Sequence, residues 1–336
     1  MSDLARRAGP LPALALDEAV SALAWQGGAL VAASAAGSLH WIDPRGARLH
    51  QRVEGHGAPI TALAADPRGE WLASAGEDGR VRLWCGTEVR ATWLHAGDWI
   101  EHLAWSRRGD YLAAAGGRRL WVWRRDATPL RDAEPFPTTV SALAWSPVVD
   151  QLLVGGYRCL HLLPATAGPP LQQLAPGHAV TACDWSPDGK SFAVGLQDKY
   201  LELWRREPRQ ARLRRFLMRG YPHKVAALSY ARDGRWLASA GGRDVVLWST
   251  ARQHLGNSAP TVWREHRDTV TRLAHAPAGE PRLASADRNG RVLLWNSHGQ
   301  WRDVLTAPAP LTTLSWQPDG GLLAAGSEAG VLYLLH

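Results

Sequence analysis

Thirteen histidines and three cysteines are the residues of this 336-residue chain best suited to bind a metal ion or act as a nucleophile. No two histidines are four positions apart, the spacing that places two ligands on one helix face, and Cys85, Cys159 and Cys183 are widely separated. The sequence also lacks a Gly-x-Ser-x-Gly nucleophile motif and a Gly-x-x-x-x-Gly-Lys phosphate-binding motif. We therefore predict that the protein is not an enzyme and uses no metal or other cofactor.

The densest charge lies in one segment, "RREPRQARLRRFLMR" at 205–219. Its seven arginines minus one glutamate account for six of the formal net charge of +7. Such a segment could bind an acidic protein or the phosphates of nucleic acid, or it could be a solvated outer edge that arginine protects from pairing. The candidate residues for a polyanion patch are Arg205, Arg206, Arg209, Arg212, Arg214, Arg215 and Arg219.

A second group of basic residues recurs in short polar turns, each between two apolar segments. Two aromatic residues stand in similar positions, one in a turn and one just before an apolar segment. Aromatic residues and arginine are the usual anchors of protein interfaces, although turns are also where polar residues commonly occur. We predict that these residues form a partner-binding face: Trp99, Arg118, Tyr157, Arg158, Lys199, Arg243 and Arg288.

These turns belong to an internal repeat of 40 to 45 residues, visible as an apolar strand that ends at equivalent positions: Trp25, Ala65, Trp105, Trp145, Trp185, Tyr230, His275 and Trp316. After that strand come a polar turn, a second strand, a glycine-containing turn, and a third strand that commonly ends on tryptophan. A more polar fourth strand completes the unit. This period, with several short strands in each unit, indicates four-stranded blades of a β-propeller.

Eight units can be counted, so we predict an all-β, eight-bladed propeller in a single domain over 1–336, with almost no helix. Seven blades plus one stray unit is the alternative. The blades are expected to begin near positions 20, 59, 99, 139, 179, 224, 269 and 310.

One unit carries a specific resemblance. Residues 55–84, "GHGAPITALAADPRGEWLASAGEDGRVRLW", resemble a repeat of the WD-repeat β-propeller family. The resemblance implies that His56, Ser74, Asp78 and Trp84 form a buried chain of hydrogen bonds, and that the protein is a platform for protein partners. Alanine and arginine richness is typical of a GC-rich genome, and we interpret the chain as a bacterial stand-alone propeller.

Most units depart from the family pattern. Only the second has all four residues; the fifth has Val194 in place of the serine, and the seventh has Asn289 at the aspartate position. Three further histidines, His178, His223 and His266, precede first strands and are expected to be structural. The fold should therefore depend more on apolar packing than on polar networks.

The chain ends on "GVLYLLH", a third strand with no fourth strand after it, and such an exposed edge would invite aggregation. The segment "LPALALD" at 11–17 has no partner in its own unit, so we predict that it pairs with 331–336 and closes the last blade. No segment has the length of a secretory leader or a membrane span. We expect a monomeric, cytoplasmic protein that does not bind membranes.

The leading functional hypothesis is a non-enzymatic scaffold that binds a protein or peptide through the predicted face. The first alternative is binding of an acidic partner or polyanion by 205–219, although sequence-specific DNA readout is disfavoured because no helix accompanies the arginines. The second alternative is a propeller hydrolase with a metal in its central channel, which the small and apolar first strands disfavour.

Overall fold

The computed structural model describes residues 13–16, 18–95, 97–207, 212–251 and 259–336, which form eight four-stranded antiparallel sheets. Each sheet is one blade, and the first strands of consecutive blades lie side by side around a closed ring. This arrangement confirms the predicted eight-bladed propeller. Across the described ranges every named element is a strand, and none of these residues forms a helix that could cross a membrane.

The first four blades take up the N-terminal half of the ring. Blade 1 contains β2 (Val20–Gln26), β3 (Ala29–Ser34), β4 (Ser38–Asp43) and β5 (Arg48–Glu54). Blade 2 contains β6 (Ile60–Ala65), β7 (Trp71–Gly76), β8 (Arg80–Cys85) and β9 (Glu88–Leu94). Blade 3 contains β10 (His102–Trp105), β11 (Tyr111–Gly116), β12 (Arg119–Arg124) and β13 (Pro129–Pro135). Blade 4 contains β14 (Ala142–Trp145), β15 (Gln151–Gly156), β16 (Cys159–Pro164) and β17 (Gln172–Leu174).

The remaining blades complete the ring. Blade 5 contains β18 (Val180–Trp185), β19 (Ser191–Leu196), β20 (Leu201–Arg206) and β21 (Leu213–Met218). Blade 6 contains β22 (Ala227–Tyr230), β23 (Trp236–Ala240), β24 (Val245–Ser249) and β25 (Thr261–Trp263). Blade 7 contains β26 (Val270–His275), β27 (Arg282–Asp287), β28 (Arg291–Asn296) and β29 (Trp301–Thr306). Blade 8 contains β30 (Leu311–Trp316), β31 (Leu323–Ser327), β32 (Val331–Leu335) and β1 (Ala13–Ala15).

The apolar core lies between blades rather than within them. One cluster, for example, joins Leu83 of blade 2 to Leu112 and Trp123 of blade 3, all buried. The second and third strands of a blade are apolar on both sides because each side faces a neighbouring sheet. The fourth strand faces solvent, and five consecutive residues at the start of β5 are exposed accordingly. No blade can bury its apolar surface alone, so the ring must be complete to be stable.

Tryptophans at the ends of first strands join neighbouring blades. Each indole N–H donates a hydrogen bond to a backbone carbonyl of the preceding blade's first strand. The five bonds are Trp25 to Ser315 (3.2 Å), Trp105 to Ala64 (3.0 Å), Trp145 to Ala104 (2.9 Å), Trp185 to Ala144 (3.3 Å) and Trp316 to Ala274 (2.9 Å). The repeat places these tryptophans at equivalent positions, and their regular recurrence is the sequence signal for a shared role, although it does not predict the bonds between blades.

The N-terminal strand closes the ring as predicted. Within β1, Leu14 pairs with Leu332, and just after β1 the Leu16 N–H donates to the Gly330 carbonyl at 2.7 Å. Leu14 and Leu16 pack into the cluster that contains Trp25. Positions 11, 12 and 17 of the predicted closing strand lie outside the described residues.

Candidate functional site

The sheet topology brings two sets of connections to one end of the ring. Because the strands of a blade alternate in direction, the turns between second and third strands emerge where the fourth strand leads to the next blade. We call this end the loop face. Of the predicted partner-binding residues, Trp99 lies in a blade-to-blade loop, and the other six lie in turns between second and third strands.

All seven of these residues are exposed. Trp99 and Tyr157 leave 59% and 55% of their surfaces accessible, more than most large apolar side chains of the described chain. Arg118 donates to the Phe136 carbonyl at 3.3 Å, and no ion pair within the described ranges involves it or the other four cations. The loop face therefore presents accessible aromatic rings together with positive charge that is free to pair.

Backbone contacts tie the loops to the turns. The Val140 N–H donates to the Gly117 carbonyl at 2.8 Å, so the loop entering blade 4 is attached to the Arg118 turn. Trp99 belongs to a loop that crosses the blade 3 turn so closely that a Cβ built on Gly116 would lie 2.1 Å from the Trp99 carbonyl oxygen. The Tyr157 ring meets His178 edge to face at 5.4 Å between centroids. These contacts hold the exposed side chains on a rigid frame.

Two of the cations occupy strained backbone positions. The turn between second and third strands has a left-handed residue in most blades, and it is usually glycine, as at Gly79 with φ 70°. Blades 4 and 5 instead have Arg158 with φ 50° and Lys199 with φ 65°. A left-handed conformation costs a non-glycine residue about 1–2 kcal/mol. Glycine would adopt these backbone angles at a lower cost in free energy, so the two charged residues stand there at some expense of stability.

The arginine-rich segment forms the outer hairpin of blade 5, and its side chains diverge. Arg205 donates to the Thr250 carbonyl at 2.9 Å, toward blade 6. Arg215 lies on the opposite side of the sheet, 3.3 Å from the Glu202 carboxylate and over the Trp204 ring. Arg206, Arg212, Arg214 and Arg219 are exposed. Arg209 lies outside the described residues, and the described arginines do not share one surface.

A groove of about 750 Å³ lies beside this hairpin. Arg212, Arg214 and Arg215 line it together with Ala175, Trp204 and Glu207.

The hydrogen-bond chain of blade 2 joins the four residues that the family resemblance implies. The Trp84 indole N–H donates to the Ser74 hydroxyl (2.8 Å), that hydroxyl lies 2.7 Å from His56 Nε2, and His56 Nδ1 lies 2.9 Å from the Asp78 carboxylate. Burial lowers the pKa of His56 against the opposing effect of Asp78, so the imidazole is neutral at pH 7. A neutral ring protonated on Nδ1 satisfies every partner.

Blade 7 contains a second complete chain, which corrects the expectation that only one unit has it. Trp295 donates to Ser285 at 2.7 Å, Ser285 lies 2.6 Å from His266, and His266 lies 2.9 Å from Asp287. Asp287 supplies the carboxylate from the end of the second strand, two residues before the expected Asn289. Motif alignment missed it because the side chain reaches the histidine from a different backbone position.

Two other histidines do not play the expected structural part. His223 is exposed. Tyr221 occupies the buried position expected for the histidine, and its hydroxyl accepts a hydrogen bond from the Trp248 indole at 2.6 Å and lies 2.6 Å from the Ser239 hydroxyl. His178 is 32% exposed and 3.5 Å from Asp198. In that blade the Trp204 indole instead donates to the buried Glu202 at 3.2 Å.

Metal-ligating side chains do not converge in the described part of the chain: no group of three or more His, Cys, Asp or Glu is placed to hold an ion. His95, in the loop between blades 2 and 3, lies against the Trp121 ring at 4.2 Å between centroids. Burial lowers its pKa.

The family model "WD domain, G-beta repeat" matches residues 47–85, 168–205 and 214–249. Intraflagellar transport protein 80 homolog of Mus musculus is 28% identical over 174 residues, which are 51% of this chain and 22% of that protein. Actin-interacting protein 1 of Caenorhabditis elegans is 21% identical over 323 residues, which are 92% of this chain and 52% of that protein. The chain thus spans about a fifth of the first relative and about half of the second.

Among solved structures, the computationally designed Ika8 protein has the same fold. Its TM-score is 0.80 at 20% identity, and the superposition covers 96% of this chain and 97% of the designed one.

Proposed function

Because the chain belongs to the WD-repeat β-propeller family, we propose that it is a non-enzymatic cytoplasmic scaffold that binds a protein or peptide on its loop face. A relative that matches most of the chain, actin-interacting protein 1, is named for an interaction with another protein. Rigid sheets with exposed connecting loops suit this role, since loops on a rigid scaffold carry much of protein recognition.

The observation that carries the proposal is the pair of cations at left-handed positions. Arg158 and Lys199 stand where glycine would cost less, and they lie on the same face as the exposed Trp99 and Tyr157 rings. Backbone strain at exposed, unpaired charges favours a functional over a structural role. The partner we propose therefore offers acidic side chains for the cations and apolar surface for the two rings.

The first prediction concerns these cations. The double variant Arg158→Gly/Lys199→Gly should keep or raise the melting temperature, because glycine relieves the strain, and it should weaken partner binding tenfold or more. The variant Arg118→Ala/Arg158→Ala/Arg243→Ala/Arg288→Ala should lose the partners. Affinity capture from native extract, with purified wild type and variants, measures the loss of partner binding in both variants.

The matched control is Arg107→Ala/Arg108→Ala, which removes two exposed arginines from a turn between first and second strands at the opposite end of the ring. It should capture the same partners as the wild type. Identical partners on the wild type and the quadruple variant would refute the loop face as the binding surface.

A second candidate function, polyanion binding, is favoured by the groove that Arg212, Arg214 and Arg215 line. Arginines that line a groove could hold the phosphate oxygens of a single strand. The Glu202 carboxylate already pairs with Arg215, which weakens this candidate relative to the first.

The second prediction is a salt dependence. If the groove binds polyanions, affinity for a labelled single-stranded oligonucleotide should fall steeply with salt, because each neutralised phosphate releases about 0.7 counterion. Arg212→Gln/Arg214→Gln should reduce the slope of log K against log salt by about 1.4, roughly 0.7 for each phosphate contact. A shallow slope, or equal slopes for both proteins, would exclude this function.

A further inference from the structure

The junction between blades 6 and 7 lacks the indole that joins most other blades. At the end of its first strand, blade 7 has His275 where blade 4 has Trp145. His275 retains a polar link to blade 6, since its backbone N–H donates to the Ser229 hydroxyl at 3.0 Å and its Nδ1 lies 3.0 Å from the same oxygen. The imidazole has no second ring, and no described residue fills the space that an indole benzene ring would take on this side.

In two other blades that lack this tryptophan, a different aromatic ring fills the junction. Blade 2 has Ala65 at this position, and Trp41 of blade 1 enters that junction and meets Trp84 edge to face at 5.9 Å. Blade 6 has Tyr230, a buried aromatic ring that packs with Leu203 and Leu237.

A cavity of about 560 Å³ opens between blades 6 and 7, at the end of the ring opposite the loop face. Blade 6 contributes Trp236, Leu247 and Trp263 to its lining. Blade 7 contributes His275, Leu283 and Trp295, which are paired across three adjacent strands and so point to the same side. The walls are therefore formed by the two sheet faces that a tryptophan would otherwise hold together.

One aromatic wall of the cavity, Trp236, makes no ring contact with another residue in the described ranges. In the junction of blades 3 and 4, Tyr111 begins the second strand and stacks on Trp145 at 5.9 Å. Trp236 begins the second strand of blade 6 and faces the histidine position instead, and it is 39% exposed. On the outer side of the cavity, Trp263 stacks on Trp295 at 4.7 Å with an interplanar angle of 15°.

We propose that this cavity binds a small planar aromatic molecule of about the size of indole, whose ring takes the place of the missing indole against Trp236. Stacked or edge-to-face aromatic contacts are the geometry that the surrounding rings offer. The cavity volume lies within the range of small-molecule sites, and it is mainly apolar with polar groups at its mouth. Two blades wall it in, so a free molecule is favoured over a side chain of a protein.

The polar groups favour an uncharged ring. Burial lowers the pKa of His275 to about 4, so it faces the cavity as a neutral imidazole at pH 7. Arg232 and Asp233 at the mouth are exposed and of opposite charge. The third charged residue of the lining, Arg282, turns toward blade 8, where its guanidinium donates to the Gly320 carbonyl and lies 5.1 Å from the Trp316 ring.

Titration of the full-length protein with indole, followed by calorimetry, tests the proposal. We expect one site per chain with a Kd below about 1 mM. His275→Trp restores the residue used elsewhere in the repeat, and it should raise the melting temperature and weaken indole binding at least tenfold. Trp236→Ala removes the stacking wall and should weaken binding to a similar extent, which decides the question if His275→Trp does not fold. Trp99→Ala, on the loop face, should bind indole like the wild type and lose partner binding.

Failure of this site is thus separable from failure of the loop face. The absence of heat with indole, or equal affinity in wild type and Trp236→Ala, would overturn the proposal. A peptide containing one tryptophan that binds tenfold more tightly than free indole, and is lost in Trp236→Ala, would overturn the assignment to a small molecule.

Discussion

Removing residues 1–17 lowers the melting temperature of the whole ring, and Leu16→Asp alone does much of the same. Leu16 is buried in the core between blades 8 and 1, and the half-buried Leu14 packs against it. Full burial of a leucine contributes about 1.5–3 kcal/mol, so losing one buried and one half-buried leucine costs roughly 2–4 kcal/mol. For a cooperative unit of this length, the melting temperature should fall by about 3–6 °C. Because blade 8 would lose its outer strand and its seal to blade 1, all blades should unfold in one transition rather than a tail fraying.

Calorimetry and far-UV circular dichroism measure this effect, and a substitution on the same strand controls for the charge. Ala13 is exposed where Leu16 is buried, so Ala13→Asp should change the melting temperature by less than about 2 °C, as surface substitutions usually do. A truncated protein that melts like the intact one would show that β1 does not hold the ring together.

The second large effect is expected from the two complete hydrogen-bond chains. His56→Ala and His266→Ala should each lower the free energy of unfolding by about 1–3 kcal/mol, the cost of leaving buried partners unsatisfied. Each substitution leaves a buried serine and a carboxylate without their shared partner. Denaturant unfolding, with the midpoint and slope fitted separately, gives the value.

His178→Ala is the matched control, because it removes a histidine at an equivalent position of the repeat. His178 is partly exposed, its nearest carboxylate is 3.5 Å away, and Val194 replaces the serine. We expect it to cost less than about 0.5 kcal/mol. Equal losses in all three variants would mean that the histidines contribute through the loops and not through the buried chains.

The blade count and the closure of the ring could be predicted because they depend on local patterns. Each unit repeats the same strand lengths and turn residues. A glycine in the turn between two strands allows the chain to reverse locally, without contacts from distant residues. A third strand without a fourth at one terminus, and an unpaired strand at the other, leave one way to avoid an open edge. The pairing of Leu14 with Leu332 follows from that constraint.

The polar network of blade 7 could not be read from the motif. The motif predicts an aspartate at position 289, which is Asn289, whereas Asp287 reaches His266 from the preceding strand end. Likewise Tyr221, rather than His223, places a hydroxyl against Ser239. A hydrogen bond depends on where side-chain atoms meet, and different backbone positions can bring a polar atom to the same point.

For the candidate site, the turn positions of the cations followed from the repeat, and their shared end of the ring follows from strand alternation. The backbone conformation of these residues could not be predicted, because no sequence pattern places Arg158 and Lys199 at left-handed backbone angles. The divergence of the arginines at 205–219 likewise depends on which side of the sheet each residue faces. Successive side chains of a strand point to opposite sides of the sheet, so a known strand register would have shown on which side each arginine lies.

The repeated blade, the number of blades and the joining of the two termini are predictable from the amino-acid sequence, since they arise from patterns within a unit and from the need to bury every edge. What lies between blades is visible only in the folded ring: the indole bonds from blade to blade, the second hydrogen-bond chain and the cavity beside His275. Side chains in those spaces come from segments about a full unit apart. Whether they fill the gap depends on the combined shape of two sheet faces, which no single unit specifies.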